Sequence, residues 1–414
     1  MSQYNVPQMS RFEQGDPVST ANELLHDDLF PEDAYADEVY WADLPRRERI
    51  AWVNNQSNRE AARELNVLAT EFRRDPLQPF RDYFSKYVIV GLGLFVEGYT
   101  LFSVGNIESL FEAVWPQCWK TFQVCDANWV ASVDYLEIVG IILGQVAVGI
   151  IGDWIGRRWG MIQDAVVMLI GTILLTAMWG KTLNGWVIMY GFSLLVYSFG
   201  VGGEYPMTST RAMEGSSGRN SSTGDKLHRG RNVALAFTMQ GWGQLVNQVI
   251  LMLCLLAFHG GGSPPYGELS TQWTFRISFA FIGIITLWLI YHRVYKLQYA
   301  DRQLRLSKRK SSVIGYDKRS LQLVVTHYWH RLLGTAGTWF CNDFMFYGIL
   351  HSFQADSGNK IFQSVFIKII SPNSTVMGGW LWNLVNVGVS LVGYYMAALL
   401  IDHKFYGRRR MQAI

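Results

Sequence analysis

The sequence predicts an all-α polytopic membrane protein, and three observations carry that expectation. Half of its 414 residues are hydrophobic and only 17% are charged, where a soluble domain carries about 25%. Eight apolar stretches come near the roughly 20 residues that a helix needs to cross the hydrocarbon core; they lie at about 86–106, 130–152, 160–180, 186–208, 233–258, 275–292, 332–352 and 378–401. The basic residues are one-sided: with the N-terminus inside, the inner connections hold 21 Lys and Arg and the outer ones four, the asymmetry expected when positive loops stay cytoplasmic. A net charge of +3 is too small for a polyanion-binding surface, so nucleic acid is excluded as a partner and the lipid bilayer takes its place.

Residues 1–85 read as a cytoplasmic tail, with an acidic stretch at Asp27, Asp28, Glu32, Asp33, Asp37 and Glu38 followed by a polar helix over 45–74. Leu65, Leu68 and Phe72 share one face of that helix, which either rests on the bundle or the membrane surface or is simply solvated. The first 30 residues hold no uninterrupted apolar run, so the first span is expected to direct insertion itself. Residues 86–292 form an N-terminal six-helix bundle, 293–331 a basic cytoplasmic connection, and 332–414 a C-terminal bundle of two spans. That second half is expected to be incomplete, because the sequence stops where a ninth span would begin. Cys118 and Cys125 fall in the outer loop after span one, where the redox state permits a disulfide as well as two unpaired thiols. Cys254 and Cys341 fall within spans as packing residues. Asn373-Ser374-Thr375 forms a glycosylation sequon in the outer loop between spans seven and eight.

Ionisable groups inside spans are costly and mark cavities, partners or ion paths. Three carboxyls stand out: Glu97 near the centre of span one, Glu204 in the inner half of span four and Asp343 in the middle of span seven. Hydrocarbon disfavours a carboxylate's charge, so a proton can be taken up and released there; for Glu97 a plain hydrogen bond between helices is an equal alternative. Trp339, Asp343 and Tyr347 follow at i, i+4, i+8 and share a face of span seven, presenting an indole N–H, a carboxyl and a phenol suited to phosphate oxygens. Gln240, Gln244 and Gln248 repeat the spacing on span five with Asn247 beside them, a polar stripe best suited to lining a cavity. Asp134, Glu137 and Asp164 sit near span ends and are assigned no transport role. No Lys or Arg occupies the centre of a span. No nucleophile–base pair, metal cluster or cofactor loop is present in the sequence, so neither an enzyme nor a bound cofactor is expected.

The run Gly149-Ile150-Ile151-Gly152-Asp153-Trp154-Ile155-Gly156-Arg157-Arg158-Trp159-Gly160 resembles the major facilitator signature between spans two and three. A weaker copy, Asp402 with Gly407-Arg408-Arg409, follows span eight, as parallel repeats of two bundles require. Gly149 and Gly156 would permit close helix approach, and Asp153 with Arg157 and Arg158, like Asp402 with Arg408, would form a charged latch at the inner mouth. Gly202-Gly203-Glu204-Tyr205-Pro206 and Gly334-Thr335-Ala336-Gly337-Thr338-Trp339-Phe340-Cys341-Asn342-Asp343 with Tyr347 are similar to the phosphate:proton symporter branch, including its glycerophosphodiester permease relatives. The resemblance implies proton-coupled transport of inorganic phosphate or a glycerophosphodiester by alternating access across the plasma membrane. Tyr205, Gln240, Trp339, Asp343 and Tyr347 would contact substrate, while Glu97 and Glu204 would handle the proton. The branch usually has Asp where this sequence has Glu204, a change of one methylene. The alternative is a non-transporting nutrient sensor or an inactive truncated transporter fragment.

Overall fold

The structure, a computed structural model, describes residues 35–36, 39–40, 44–216, 228–260, 262–296, 318–343 and 375–402. The chain divides into two units, one of residues 1–79 with 403–414 and one of 80–402. In the first, two short strands, β1 (Tyr35–Ala36) and β2 (Val39–Tyr40), pair antiparallel. A long polar helix, α1 (Arg46–Arg74), follows with Arg73 and Arg74 in its last turn, where they complement the helix dipole. Leu65, Leu68 and Phe72 are exposed on it.

The second unit begins where α2 (Gln78–Tyr83) and a π turn at Phe84–Val88 lead into α3 (Leu92–Val114), the two limbs meeting at 66°. After α4 (Pro116–Trp119) come α5 (Ala127–Trp154), α6 (Arg157–Thr176), α7 (Leu183–Ser216), α8 (Arg229–Phe258) and α9 (Glu268–Tyr295). α10 (Lys318–His327), α11 (Trp329–Asp343) and α12 (Val376–Leu400) complete the described helices. Among the described residues six helices, α5 to α9 and α12, are long and apolar enough to cross a membrane, and the bent α2–α3 pair makes a seventh.

Local chemistry sets the helix ends. Asp126 accepts the Asn128 N–H at 2.8 Å to start α5, and Thr375 accepts that of Gly378 at 3.2 Å to start α12. Gly156, between α5 and α6, has φ of 137°, which side chains rarely tolerate. Close packing of α5 on α7 depends on Gly144 and Gly202, since a Cβ on either would strike the facing backbone at Phe199 or Ile141. Where the C-terminal end of α3 meets the N-terminal ends of α7 and α9, the Phe111 ring packs edge-on against Trp186, Tyr190 and Phe275 at 5.1, 6.0 and 5.8 Å, a geometry that ring quadrupoles favour. A disulfide joins Cys118 to Cys125 in the adjoining loop.

Two elements depart from the sequence expectation. α7 passes through Pro206 and continues to Ser216, beyond the expected end at 208. α9 runs to Tyr295, so Arg293 belongs to a helix rather than to the basic connection. Of the expected span at 332–352 the described residues reach Asp343, within α11; Leu332, Leu333, Trp339 and Phe340 on it are exposed. The Asn373 sequon lies outside the described residues.

Candidate functional site

Two polar clusters are buried in the bundle, and they meet on α7 at consecutive residues. The first is ionic. Arg293, 2% exposed near the C-terminal end of α9, donates from Nη2 to both carboxylate oxygens of Glu204 at 2.6 and 2.7 Å, and from Nη1 to Asp164 Oδ1 at 2.7 Å and the Met161 carbonyl at 2.6 Å. Thr208, one turn along α7, adds a hydroxyl to Glu204 Oε1. Gly93 on α3 makes the space, because a Cβ there would overlap the Glu204 carboxyl. All three charged groups are buried, and Arg293 offsets the burial of both acids, through Nη2 to Glu204 and Nη1 to Asp164.

The sequence singled out Glu204 but not its partners. Arg293 was counted with the cytoplasmic connection, since the apolar stretch of span six ends at 292. Asp164, assigned only a local role, pairs across helices. Arg293 lies in the last turn of α9, two residues before its end, so the cation of this cluster comes from a helix terminus rather than from the centre of a span.

The second cluster is built of amide, phenol and carboxyl. Gln240 on α8 donates through Nε2 to Glu97 Oε1 on α3 at 2.9 Å and to the Tyr205 hydroxyl on α7 at 2.9 Å, while its Oε1 accepts the Tyr394 hydroxyl of α12 at 3.1 Å. Glu97 is fully buried and Gln240 nearly so, whereas Tyr205 and Tyr394 are half-buried. One side-chain amide thus ties three helices of the first bundle to the helix that follows the basic connection. Glu97, Tyr205 and Gln240 were expected from the sequence, and the structure brings these three together. Tyr394 was not, because a tyrosine in an apolar helix reads as lipid-facing unless its partner is known.

Around this centre α12 is hydrogen-bonded along its length. Toward its start, Trp380 donates to the Asn106 carbonyl at 3.0 Å, and Asn383 donates to Asn106 and to Gln248 Oε1. Toward its end, the Tyr395 hydroxyl meets those of Tyr83 at 2.9 Å and the Trp242 indole at 3.0 Å. Just past it, Asp402 accepts the Arg231 N–H at 2.7 Å in the first turn of α8, where a carboxylate is favoured.

The remaining expected residues are placed differently. Arg158 donates to the Val294 carbonyl at 2.6 Å, holding the end of α9. Gly149 has open space where a Cβ would stand; close approach is found instead at Gly152 and Gly160, which meet each other and Met207. Trp339 is 60% exposed on α11 and apart from the Gln240 cluster. The side chains of Asp153, Arg157 and Asp343, and residues Tyr347 and Arg408, lie outside the described ones. Among the described residues no group of three or more His, Cys, Asp or Glu is placed to hold a metal.

Residues 86–414 match the family model "Sugar (and other) transporter". Glycerophosphoinositol permease 1 of Candida albicans is 26% identical over 315 residues, covering 75% of this chain and 53% of that protein. Low affinity inorganic phosphate transporter 3 of Petunia hybrida is 26% identical over 315 residues, covering 67% and 57%. The chain thus spans about half the length of these relatives. Among solved structures, a D-xylose-proton symporter superposes with a TM-score of 0.52 at 18% identity, covering 76% of this chain and 68% of the other, a likeness of fold alone.

Proposed function

Because the chain belongs to the Sugar (and other) transporter family, a family of transporters rather than enzymes, we propose that it is the greater part of a proton-coupled carrier of inorganic phosphate or a glycerophosphodiester. The observation that carries this reading is the Gln240 amide, held by Glu97, Tyr205 and Tyr394 at once. The names of its relatives, a glycerophosphoinositol permease and an inorganic phosphate transporter, give the substrate classes.

Glu97 supplies the coupling. An ionised carboxylate beside the Gln240 amide repels an incoming phosphate, while a proton on Glu97 removes that charge and adds a donor. Proton and anion then enter the site together, each favouring the other. Tyr205, Tyr394 and the amide N–H supply neutral donors for phosphate oxygens once the amide exchanges Glu97 for substrate. Trp339, Asp343 and Tyr347 belong to the same proposal, which requires α11 to seat against the bundle as substrate binds. Glu204 serves the proton path only when its bond to Arg293 loosens; with the ion pair closed it is a fixed strut. The contacts of α12 at its two ends are the ones that alternating access must break in turn, with the Asp402–Arg231 contact and the Gly149–Arg158 loop on the inner side. The plasma membrane, N-terminus inside, is the proposed setting.

The test is uptake of labelled phosphate and labelled glycerophosphoinositol into proteoliposomes with an inside-alkaline pH gradient. Glu97→Gln should abolish the response to the gradient while the variant still binds substrate, and Asp343→Asn should abolish uptake at unchanged expression. Uptake by Glu97→Gln that follows the gradient as in the wild type would remove Glu97 from the coupling. Binding with no uptake at any pH would instead support the sensor reading.

A further inference from the structure

One face of α8 carries two different chemistries. Gln240, with its carboxyl and phenol partners, lies two turns before Gln248, so the two amides are separated along the helix by about 12 Å at 1.5 Å per residue. The described bonds around Gln248 join neutral groups: Asn106 from α3, Asn383 from α12 and the Trp380 indole. Gln248 is 0% exposed, and its Oε1 is taken by Asn383, but among the described residues its Nε2 has no partner. Ser103, one turn before Asn106 on the same face of α3, is also fully buried, and its hydroxyl is likewise unpartnered among the described residues.

Leaving a buried amide N–H and a buried hydroxyl without partners is costly, and a structure retains such groups where something else completes them. Interhelical bonding alone accounts for Asn106 and Asn383, whose groups are engaged, but not for Gln248 Nε2 or Ser103 Oγ. Neutral amides and a hydroxyl act as donor and acceptor together, which matches alcohol groups and gives no advantage to an anion.

We infer that the Ser103–Asn106–Gln248–Asn383 cluster is a second subsite, for the hydroxyl-bearing end of a phosphodiester whose phosphate sits at Gln240. The inference rests on the transport reading above and selects within it: a ligand with phosphate at one end and a polyhydroxyl group at the other reaches both amides of α8, whereas orthophosphate occupies only one. The substrate class is therefore a polyol phosphodiester.

The full chain, reconstituted in lipid nanodiscs, is titrated with three probes: orthophosphate, dimethyl phosphate, which is a diester without hydroxyls, and glycerophosphoinositol. The wild type should bind glycerophosphoinositol about tenfold or more tightly than dimethyl phosphate, the scale of discrimination that a buried hydrogen-bonding group provides. Gln248→Leu should bring that ratio toward one while leaving the affinity for dimethyl phosphate unchanged. Ser103→Ala, which removes a single oxygen and preserves packing, should lower the ratio about threefold and serves if the Gln248 variant does not fold. A ratio near one in the wild type, or a ratio unchanged in Ser103→Ala and in any folded Gln248→Leu, overturns the second subsite while phosphate binding leaves the transport reading intact. Failure of all three probes to bind overturns both.

Discussion

Glu204 and Tyr205 are neighbours in the chain, and because successive helical side chains diverge by about 100° each enters a different cluster. Glu204 joins a group of full charges, with Arg293 bonded to both of its oxygens and to Asp164, and every member drawn from α6, α7 and α9. Tyr205 joins a group whose described bonds run through one neutral amide and reach out to α12. The difference is one of exchangeability. Separating a buried guanidinium from two carboxylates leaves uncompensated charge in low dielectric, whereas an amide can trade one oxygen partner for another at small net cost. On the proposed function, the ionic cluster holds the first bundle together and the amide cluster changes partners.

That contrast breaks most sharply at Arg293. Arg293→Met should cost about 3–5 kcal/mol by stranding Asp164 and Glu204, seen as a lower unfolding temperature in detergent. Adding Asp164→Asn and Glu204→Gln should recover part of it, since neutral groups of similar shape tolerate burial better. An unfolding temperature equal to the wild type in the single variant would show that the ion pair contributes nothing to the fold.

Gly93→Ala tests the same cluster from outside it. The added methyl overlaps the Glu204 carboxyl, and overpacking of this kind costs about 1–3 kcal/mol. The loss should nearly vanish when Glu204 is also Ala, because the obstructed side chain is gone; additive losses would place the damage elsewhere.

The amide cluster should respond in the opposite sense. Tyr394→Phe removes one hydrogen bond and should cost about 1 kcal/mol or less in thermal unfolding, yet it should impair substrate binding more than Arg293 variants that still fold. Equal effects on stability and binding would erase the distinction between strut and switch.

The smallest effect concerns the loop between α8 and α9. His259 follows the last turn of α8, with Ser270 at 3.0 Å from Nδ1 and the Tyr266 ring edge-on at 5.1 Å. Partial burial holds its imidazolium below the ordinary value of 6.5. Because the folded state resists charging this group, its contribution to stability is complete above pH 6.5 and declines as the pH falls below that value toward the folded-state pKa. Unfolding measured across that window should show a shallower acid slope in His259→Gln; an unchanged slope would assign the loss to other groups.

How far these clusters were legible depended on whether each signal was local. The helices of the first bundle were readable because each carries its own apolar length, and Gln240 because a polar stripe at four-residue spacing is periodic. Glu97 and Glu204 stood out as charges in apolar surroundings. Arg293 was hidden because the apolar stretch of span six ends one residue before it, and the surplus of cations expected in the following connection absorbed it. Tyr394 and Asn383 were hidden because their meaning lies in partners 154 and 135 residues away, and distance in sequence leaves no pattern in one chain.

The direction of the α12 contacts has a consequence for how the chain is made. Tyr83, Asn106, Arg231, Gln240 and Gln248 all precede α12 and so leave the ribosome first, whereas every described bond within the ionic cluster joins residues made before Lys296. During synthesis the charges of α6, α7 and α9 can neutralise one another before the next helix enters the bilayer. The polar side chains destined for α12 must wait in the membrane for it, so the interval between the emergence of Tyr295 and Val376 is when the nascent protein most needs a chaperone on that face.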